Sequence, residues 1–350
     1  MEEKTYYHNI QKHQSKETGK KACDNALGFF EKNQLLCVNS YEYYKEYKEK
    51  RSNYVSEPIP SKNIGDFAEK VHLLITVNEI EEGVLLHYLS EVNGAPLKSY
   101  LIGGSVYHLC TKAINDETYF LVHTRSQRTG DEFMRRTINA AVSNLGVEKI
   151  EYIYMLGICY GIDFNSQKLG DVIMSNHVLG YRVNFRDDSS EDEIEVEPEE
   201  EFNETPNEKY IKELSNFLCY FDVENFNFGM PKFKVKIHFG KYLSANCLMS
   251  SKKAKDSILK KIGNAKPKAM AGEMEACGIF KSILCSGANN FKNWLVVKSI
   301  CDWGENKNLF PKNPERNDFI KNCLQAYAMV NTCNAFNMML SKKLLYKEDI

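Results

Sequence analysis

Three short stretches of this chain carry residue types that could do chemistry together. In the first, the apolar run Met155-Leu156-Gly157-Ile158-Cys159-Tyr160-Gly161-Ile162-Asp163 ends in glycines. The chain then returns through a Gly-Asp turn in Gln167-Lys168-Leu169-Gly170-Asp171-Val172-Ile173. Glycines at such a place let backbone approach a ligand. The second, Gly272-Glu273-Met274-Glu275-Ala276-Cys277-Gly278, sets two carboxylates around a methionine where a helix begins. The third, Val296-Val297-Lys298-Ser299-Ile300-Cys301-Asp302-Trp303-Gly304, is an apolar strand whose exit carries Lys, Cys and Asp. A carboxylate at the carboxyl end of a buried strand lies where open α/β sheets hold their ligands. Taken singly, each stretch also has an ordinary structural explanation; acids at a helix start cap it and complement its dipole.

Other catalytic signatures are absent. The chain has no G-x-x-x-x-G-K-[ST], no G-x-G-x-x-G, no H-E-x-x-H and no G-x-S-x-G. Its eight histidines are scattered, and its eleven cysteines form no C-x-x-C pair and no Cys/His cluster with zinc spacing. The simplest reading is reduced, mostly buried thiols in a cytoplasmic protein, with no metal and no cofactor.

The elements that must position these residues alternate in type. Val71–Val77, Ile150–Leu156 and Trp294–Ile300 are continuous apolar runs, as expected of strands buried on both faces. Further strands are expected at Ser105–Leu109, Tyr119–His123, Asp171–Ser175 and Val235–Phe239. Helical spacing predicts helices over Glu81–Leu89, Asp131–Leu145, Lys209–Leu218, Lys253–Lys261, Ala276–Leu284 and Asn317–Leu345. This alternation argues for an α/β sandwich. Residues 1–65 differ in texture, rich in Lys, Glu, Asn and Tyr, and Ser56-Glu57-Pro58-Ile59-Pro60 marks a break near their end. They read as a partly helical appendage, docked on the rest or contacting a regulatory partner. Residues 66–350 form the main domain. The acidic run at about 186–206 reads as a flexible inserted loop, since like charges repel one another.

Length and composition fit a large soluble globular chain: 350 residues, 43% hydrophobic, 26% charged and a net charge of −2. With mean hydropathy −0.45 and no apolar run near the roughly 18 residues a membrane span needs, no membrane partner is expected. Near-neutral charge argues against a nucleic-acid partner. The start, Met1-Glu2-Glu3-Lys4, lacks a secretory pattern.

Together and in this order, the glycine-punctuated strand with its Gly-Asp turn, the Met-Glu pair and the strand ending in Asp resemble the purine nucleoside phosphorylase and uridine phosphorylase superfamily. The likeness is to its nucleosidase branch, which holds the methylthioadenosine/adenosylhomocysteine nucleosidases, and it runs from about Val71 to Leu340. Phosphorylase-like effector domains of bacterial defence systems are similar too. The resemblance implies a three-layer α/β sandwich with a central mixed sheet flanked by helices, in a homo-oligomer acting on a small nucleoside or nucleotide.

Breaking a purine–ribose bond leaves positive charge on the sugar and negative charge on the base. By resemblance Asp302 is the general acid at the base, a contribution of about 10²–10⁴-fold. Glu275 looks like the residue that grips the ribose hydroxyls, with Met274 packing on the sugar. For the carboxylate that the resemblance implies will orient or deprotonate the attacking water, Glu81 is the first choice and Glu79 and Glu82 are the alternatives. Lys298 stands where the nucleosidases often have arginine, and offers a point charge in place of a planar fork. Asn246, Leu248, Met249, Tyr160 and Gly161 are the implied base contacts, although Asn246 replaces the family's acid and Leu248 its aromatic. Asn78, Arg125 and Arg128 would suit a 5′-phosphate better than a methylthio group, whereas Arg135 and Arg136 read as a solvated helix face. The implied activity is hydrolysis of the N-glycosidic bond of a purine, in first place adenine, nucleoside or nucleotide. Likeness to the defence effectors adds depletion of a nucleotide pool as the role such hydrolysis would serve. A phosphate-dependent phosphorylase and an inactive nucleotide sensor are the alternatives.

Overall fold

Continuous apolar runs become the centre of the sheet because they can be covered on both faces. In the computed structural model, Val71–Thr76 is buried at every position, as is Trp294–Asp302 up to its final residue. The structure describes residues 20–61, 70–114, 117–185, 194–218, 223–224, 234–245, 249, 252–263, 268–285, 293–305, 309, 313–342 and 344–345.

In chain order the described elements are α1 (Lys20–Lys32), α2 (Gln34–Glu49), β1 (Ile59–Pro60), β2 (Val71–Thr76), α3 (Glu79–Asn93), β3 (Lys98–Ile102), β4 (Ser105–Ile114), β5 (Glu117–Arg125) and α4 (Asp131–Leu145). Next come β6 (Ile150–Gly161), β7 (Val172–Phe185), β8 (Ile194–Glu204), α5 (Glu208–Leu218), β9 (Val223–Glu224), β10 (Lys234–Val235) and β11 (Ile237–Ser244). The chain ends with α6 (Lys252–Ile258), β12 (Ala269–Glu273), α7 (Cys277–Cys285), β13 (Trp294–Asp302) and α8 (Pro314–Ser341).

The main sheet runs β1-β3-β4-β5-β2-β6-β12-β11-β7-β13, with β8 on the side of β7 and a further β6–β13 pairing that curls one end back on itself. Strand β2 is parallel to β5 and β6, and β6 is parallel to β13. Their carboxyl ends therefore share one edge, and the register sets Lys298 opposite Gly157 and Asp302 opposite Tyr160. Helices α2, α3, α5 and α8 pack on one face, and α4 and α7 on the other. This is the α/β fold with a mixed central sheet expected from the alternation.

One expectation needs correction. The acidic run is not a loop throughout: residues 194–204 are strand β8, antiparallel to β7. Val196 on β8 is buried, and Arg182 of β7 pairs with Glu199, so the neighbouring strand supplies the countercharge that self-repulsion seemed to deny. Residues 186–193 of that run lie outside the described residues. Of the two readings of the segment before residue 65, the contacts agree with docking on the rest of the chain. Tyr43, Tyr44 and Tyr47 of α2 are buried in one core cluster with α3, and β1 adds a strand to the sheet beside β3. The join is close: a Cβ on Gly83 would sit 2.6 Å from the Tyr44 ring. Eight described cysteines, including Cys159, Cys277 and Cys301, are unbridged and buried.

Candidate active site

The site begins at the turn between β2 and α3. Asn78 is the N-cap of α3: its Oδ1 accepts the Glu81 N–H at 2.9 Å, while the Glu81 carboxylate accepts the Asn78 N–H at 3.0 Å. This reciprocal box turns Glu81 inward, where it is 2% exposed. Its Oε2 also accepts the Val77 N–H at 2.7 Å and its Oε1 the Ile158 N–H at 3.0 Å. Gly157 makes the last bond possible, because a Cβ there would lie 2.6 Å from Glu81 Oε1. Of the three acids in register, Glu81 alone turns to the cluster; Glu82 pairs with Arg125 at 2.9 Å.

Across from it, β12 ends in Glu273 and the chain turns into α7. The Glu273 carboxylate accepts the backbone N–H groups of Glu275 at 2.9 Å and Ala276 at 3.0 Å, fixing the turn that aims Glu275. Lys298 Nζ donates to Glu273 at 3.0 Å and to Glu275 at 3.0 Å, with all three side chains nearly inaccessible. Burial opposes the lysine charge, but Glu273 first, then Glu275 and Glu81, outweigh it and raise the ammonium above its usual range. For Glu273 burial also works against ionisation, yet Lys298 and the hydrogen bonds prevail and lower its pKa. Glu275 goes the other way: burial leads, Glu273 and Glu81 add to it, and Lys298 only partly offsets them, so it is pushed up to about 7. Glu275 Oε1 also accepts the Gly130 N–H at 3.4 Å, which ties it to the start of α4.

Asp302 lies four residues beyond Lys298 on β13. Its Oδ1 accepts the Gly304 N–H at 2.7 Å, and the Cys301 thiol stands 3.5 Å from Oδ2. The buried Cys159 thiol feels the charges of both Lys298 and Asp302 and has its pKa raised, chiefly by burial. Beside Asp302, Tyr160 packs against Gly272 so closely that a Cβ there would meet its ring at 1.9 Å. Tyr160 and Met249 share one buried cluster, and Gly161 backs onto Trp303. Glu81, Glu275, Lys298, Tyr160, Gly161, Met249 and Asp302 thus stand at one edge of the sheet, and Met274 is half-buried between its two glutamates. Asn246 and Leu248 lie outside the described residues. Asp171 in the Gly-Asp turn is an anchor, accepting the Lys168 N–H at 3.0 Å and lying 2.9 Å from His238 Nε2.

The residues expected at a 5′ group divide. Asn78 spends its side-chain oxygen on the α3 cap. Arg128 is exposed and stands over the Phe133 ring at 5.5 Å. Arg125 lines a cavity of about 670 Å³ beside the first turns of α3 and α4. Arg51, Lys48, Tyr44 and Tyr47 line it too, none of them singled out by sequence, and so does Arg136, otherwise the exposed partner of Glu132. Among the described residues one group could offer metal donors: Glu82, His108 and His123, with ligand atoms within 4.8 Å of one another. Each already has a protein partner, in Arg125, Ser99 and Thr76 respectively.

The fold defined by this sheet and edge is that of the nucleosidases. Futalosine hydrolase of Helicobacter pylori strain 26695 aligns with TM-score 0.53 at 13% identity, covering 78% of this chain and 98% of that one. The 5′-methylthioadenosine/S-adenosylhomocysteine nucleosidase from Neisseria meningitidis aligns with TM-score 0.52 at 13% identity, covering 78% and 99%. The S-adenosylhomocysteine nucleosidase from Streptococcus pyogenes gives 0.53 at 14%, covering 79% and 98%. The resemblance read from the sequence is to this group. No family model matches the chain. Among curated proteins it is similar to a death domain-containing ATP nucleosidase of Amphimedon queenslandica, 26% identical over 168 residues. That match covers 46% of this chain and spans only 30% of the relative's length. No described helix is long and apolar enough to cross a membrane.

Proposed function

We propose that this chain hydrolyses the N-glycosidic bond of a purine nucleotide, adenine first, and releases the free base. The observation that supports this most is the buried Glu81–Lys298–Glu275 cluster on the same sheet edge as Asp302. Asp302 donates a proton to the base as the C1′–N9 bond breaks, and the electron pair of that bond leaves with the purine. Glu275 accepts hydrogen bonds from the ribose hydroxyls. Water oriented by Glu81 gives its oxygen to C1′ and its proton to the carboxylate, so the products are free base and the ribose moiety. Lys298 is held by two carboxylates, so the place of the nucleophile suits neutral water better than orthophosphate, which disfavours phosphorolysis. The name of the Amphimedon queenslandica relative, ATP nucleosidase, supports a nucleotide in place of a methylthio nucleoside.

Incubation with adenosine, AMP, ATP and methylthioadenosine, followed by chromatography, tests this directly. Free base without added phosphate is expected, and Asp302→Asn should slow its release by about 10²–10⁴-fold while substrate still binds. No base from any of the four substrates overturns the reading. In a cell this activity would drain a nucleotide pool, the defence role implied by the resemblance. Expression of the wild-type chain should then slow growth of the host and lower its ATP, and expression of the Asp302→Asn chain should do neither.

A further inference from the structure

The cavity of about 670 Å³ is far larger than a 5′-hydroxyl, a methylthio group or one phosphate requires, and falls in the range of about 300–1,000 Å³ usual for whole ligands. Its position is set by the site itself. Glu79 and Glu82 line it from the turn of α3 that carries Glu81, Arg125 from the carboxyl end of β5, and Phe133 and Arg136 from the first turns of α4, whose Gly130 N–H reaches Glu275. It therefore adjoins the proposed ribose position. β4 adds Val106 and His108, and one further wall comes from outside the main domain as read from sequence: Tyr44, Tyr47 and Lys48 of α2, and Arg51 in the 3-10 turn after it.

The lining is cationic. Lys48, Arg51, Arg125 and Arg136 face Glu79 and Glu82, and the buried His108, its pKa pushed down to about 3 chiefly by burial, stays neutral. Arg125 neutralises Glu82 across 2.9 Å, and Arg51 donates Nε–H to the Tyr47 hydroxyl at 3.2 Å, which keeps the guanidinium beside the cavity wall. A surplus of two positive charges at the edge of a nucleoside site, in a space several groups deep, selects an extended anion.

We propose that this cavity is the subsite for a 5′-polyphosphate, and that Lys48 and Arg51 of the N-terminal segment are specificity-determining residues that make the enzyme prefer nucleoside triphosphates. The proposal rests on the nucleosidase reading for its substrate, and the N-terminal segment becomes part of the binding site. Arg51 and Lys48 reach the outer phosphates; Arg125, at the end of β5, meets the inner one.

The test has two arms on the full chain. In the first, kcat/KM for base release is measured with adenosine, AMP, ADP and ATP for wild type, Arg51→Ala and Lys48→Glu. Lys48 is exposed, so the second variant guards against misfolding of the first. The ratio of ATP to adenosine kcat/KM should fall at least about tenfold in each variant, through KM for ATP. In the second, calorimetry measures binding of inorganic tripolyphosphate to wild type, Arg51→Ala and Asp302→Asn. Binding should weaken at least about tenfold in Arg51→Ala and persist in Asp302→Asn. An unchanged ATP/adenosine ratio in both variants, or tripolyphosphate binding indifferent to Arg51, overturns the subsite. Tripolyphosphate binding lost in Arg51→Ala, with no base release from any substrate, keeps the subsite and overturns the nucleosidase reading instead.

Discussion

Glu275 shares a buried pocket with Glu273, Glu81 and a single ammonium, that of Lys298. Three carboxylates and one cation cannot all ionise cheaply without water, and the one least supplied with hydrogen bonds keeps its proton longest. Glu273 accepts two backbone N–H groups at 3.0 Å or less; Glu275 has one at 3.4 Å, so Glu275 is the residue pushed up to about 7. In the proposed reaction its ionised form is the one that accepts from the ribose hydroxyls, and that form exists above its pKa. Base release should therefore fall as pH drops through about 7, approaching tenfold per pH unit below it. In Glu275→Gln the activity should be lower and this acid limb absent; a pH–rate profile of the two proteins checks it. A limb that persists in the variant assigns the titration to another group.

At the scale of the element, the join between α2 and α3 controls the shape of the polyphosphate cavity. Gly83 lets Tyr44 and Tyr47 lie directly on α3: a Cβ there would be 2.6 Å from one ring and 2.9 Å from the other. Gly83→Leu should push α2 away and cost about 1–3 kcal/mol by overpacking, read as a lower melting temperature. The same variant should shift the ATP/adenosine ratio in the direction of Arg51→Ala, since Tyr44, Tyr47, Lys48 and Arg51 move together. Elements differ in how plainly sequence announces them. Asp131–Leu145 carries a start signal and helical spacing, and α4 occupies those residues. The runs at Val71, Ile150 and Trp294 have no polar alternation to mislead. Lys98–Ile102 and Ala269–Glu273 are five residues each and mixed in polarity, so nothing local marks them. β8 is hidden by its charges, because the cations that offset them, Arg182 and Lys281, come from distant positions.

For the whole molecule, the acids of the site are legible because each sits at the end of an element with its own pattern, at a helix cap or a strand exit. Their convergence is a property of the parallel register of β2, β6 and β13, which no single stretch contains. The cavity is not legible at all. Its walls come from α2, α3, β4, β5 and α4, and Lys48 and Arg51 look like any solvated charges in a Lys/Glu-rich stretch until folding sets them beside Arg125. Asn78 shows the reverse case: a polar residue at a suggestive place whose first duty is to cap a helix.

One contact joins the two ends of this architecture. The Trp303 indole, next to Asp302, donates Nε1–H to Asn25 Oδ1 of α1 at 3.0 Å, and the chain's other tryptophan, Trp294, has its ring against Phe280 of α7. The molecule thereby carries a built-in optical gauge: any event that lifts the first helix would expose the indole beside Asp302 and redden its emission. The seating of the amino-terminal segment beside the candidate site can thus be watched in real time and without a label.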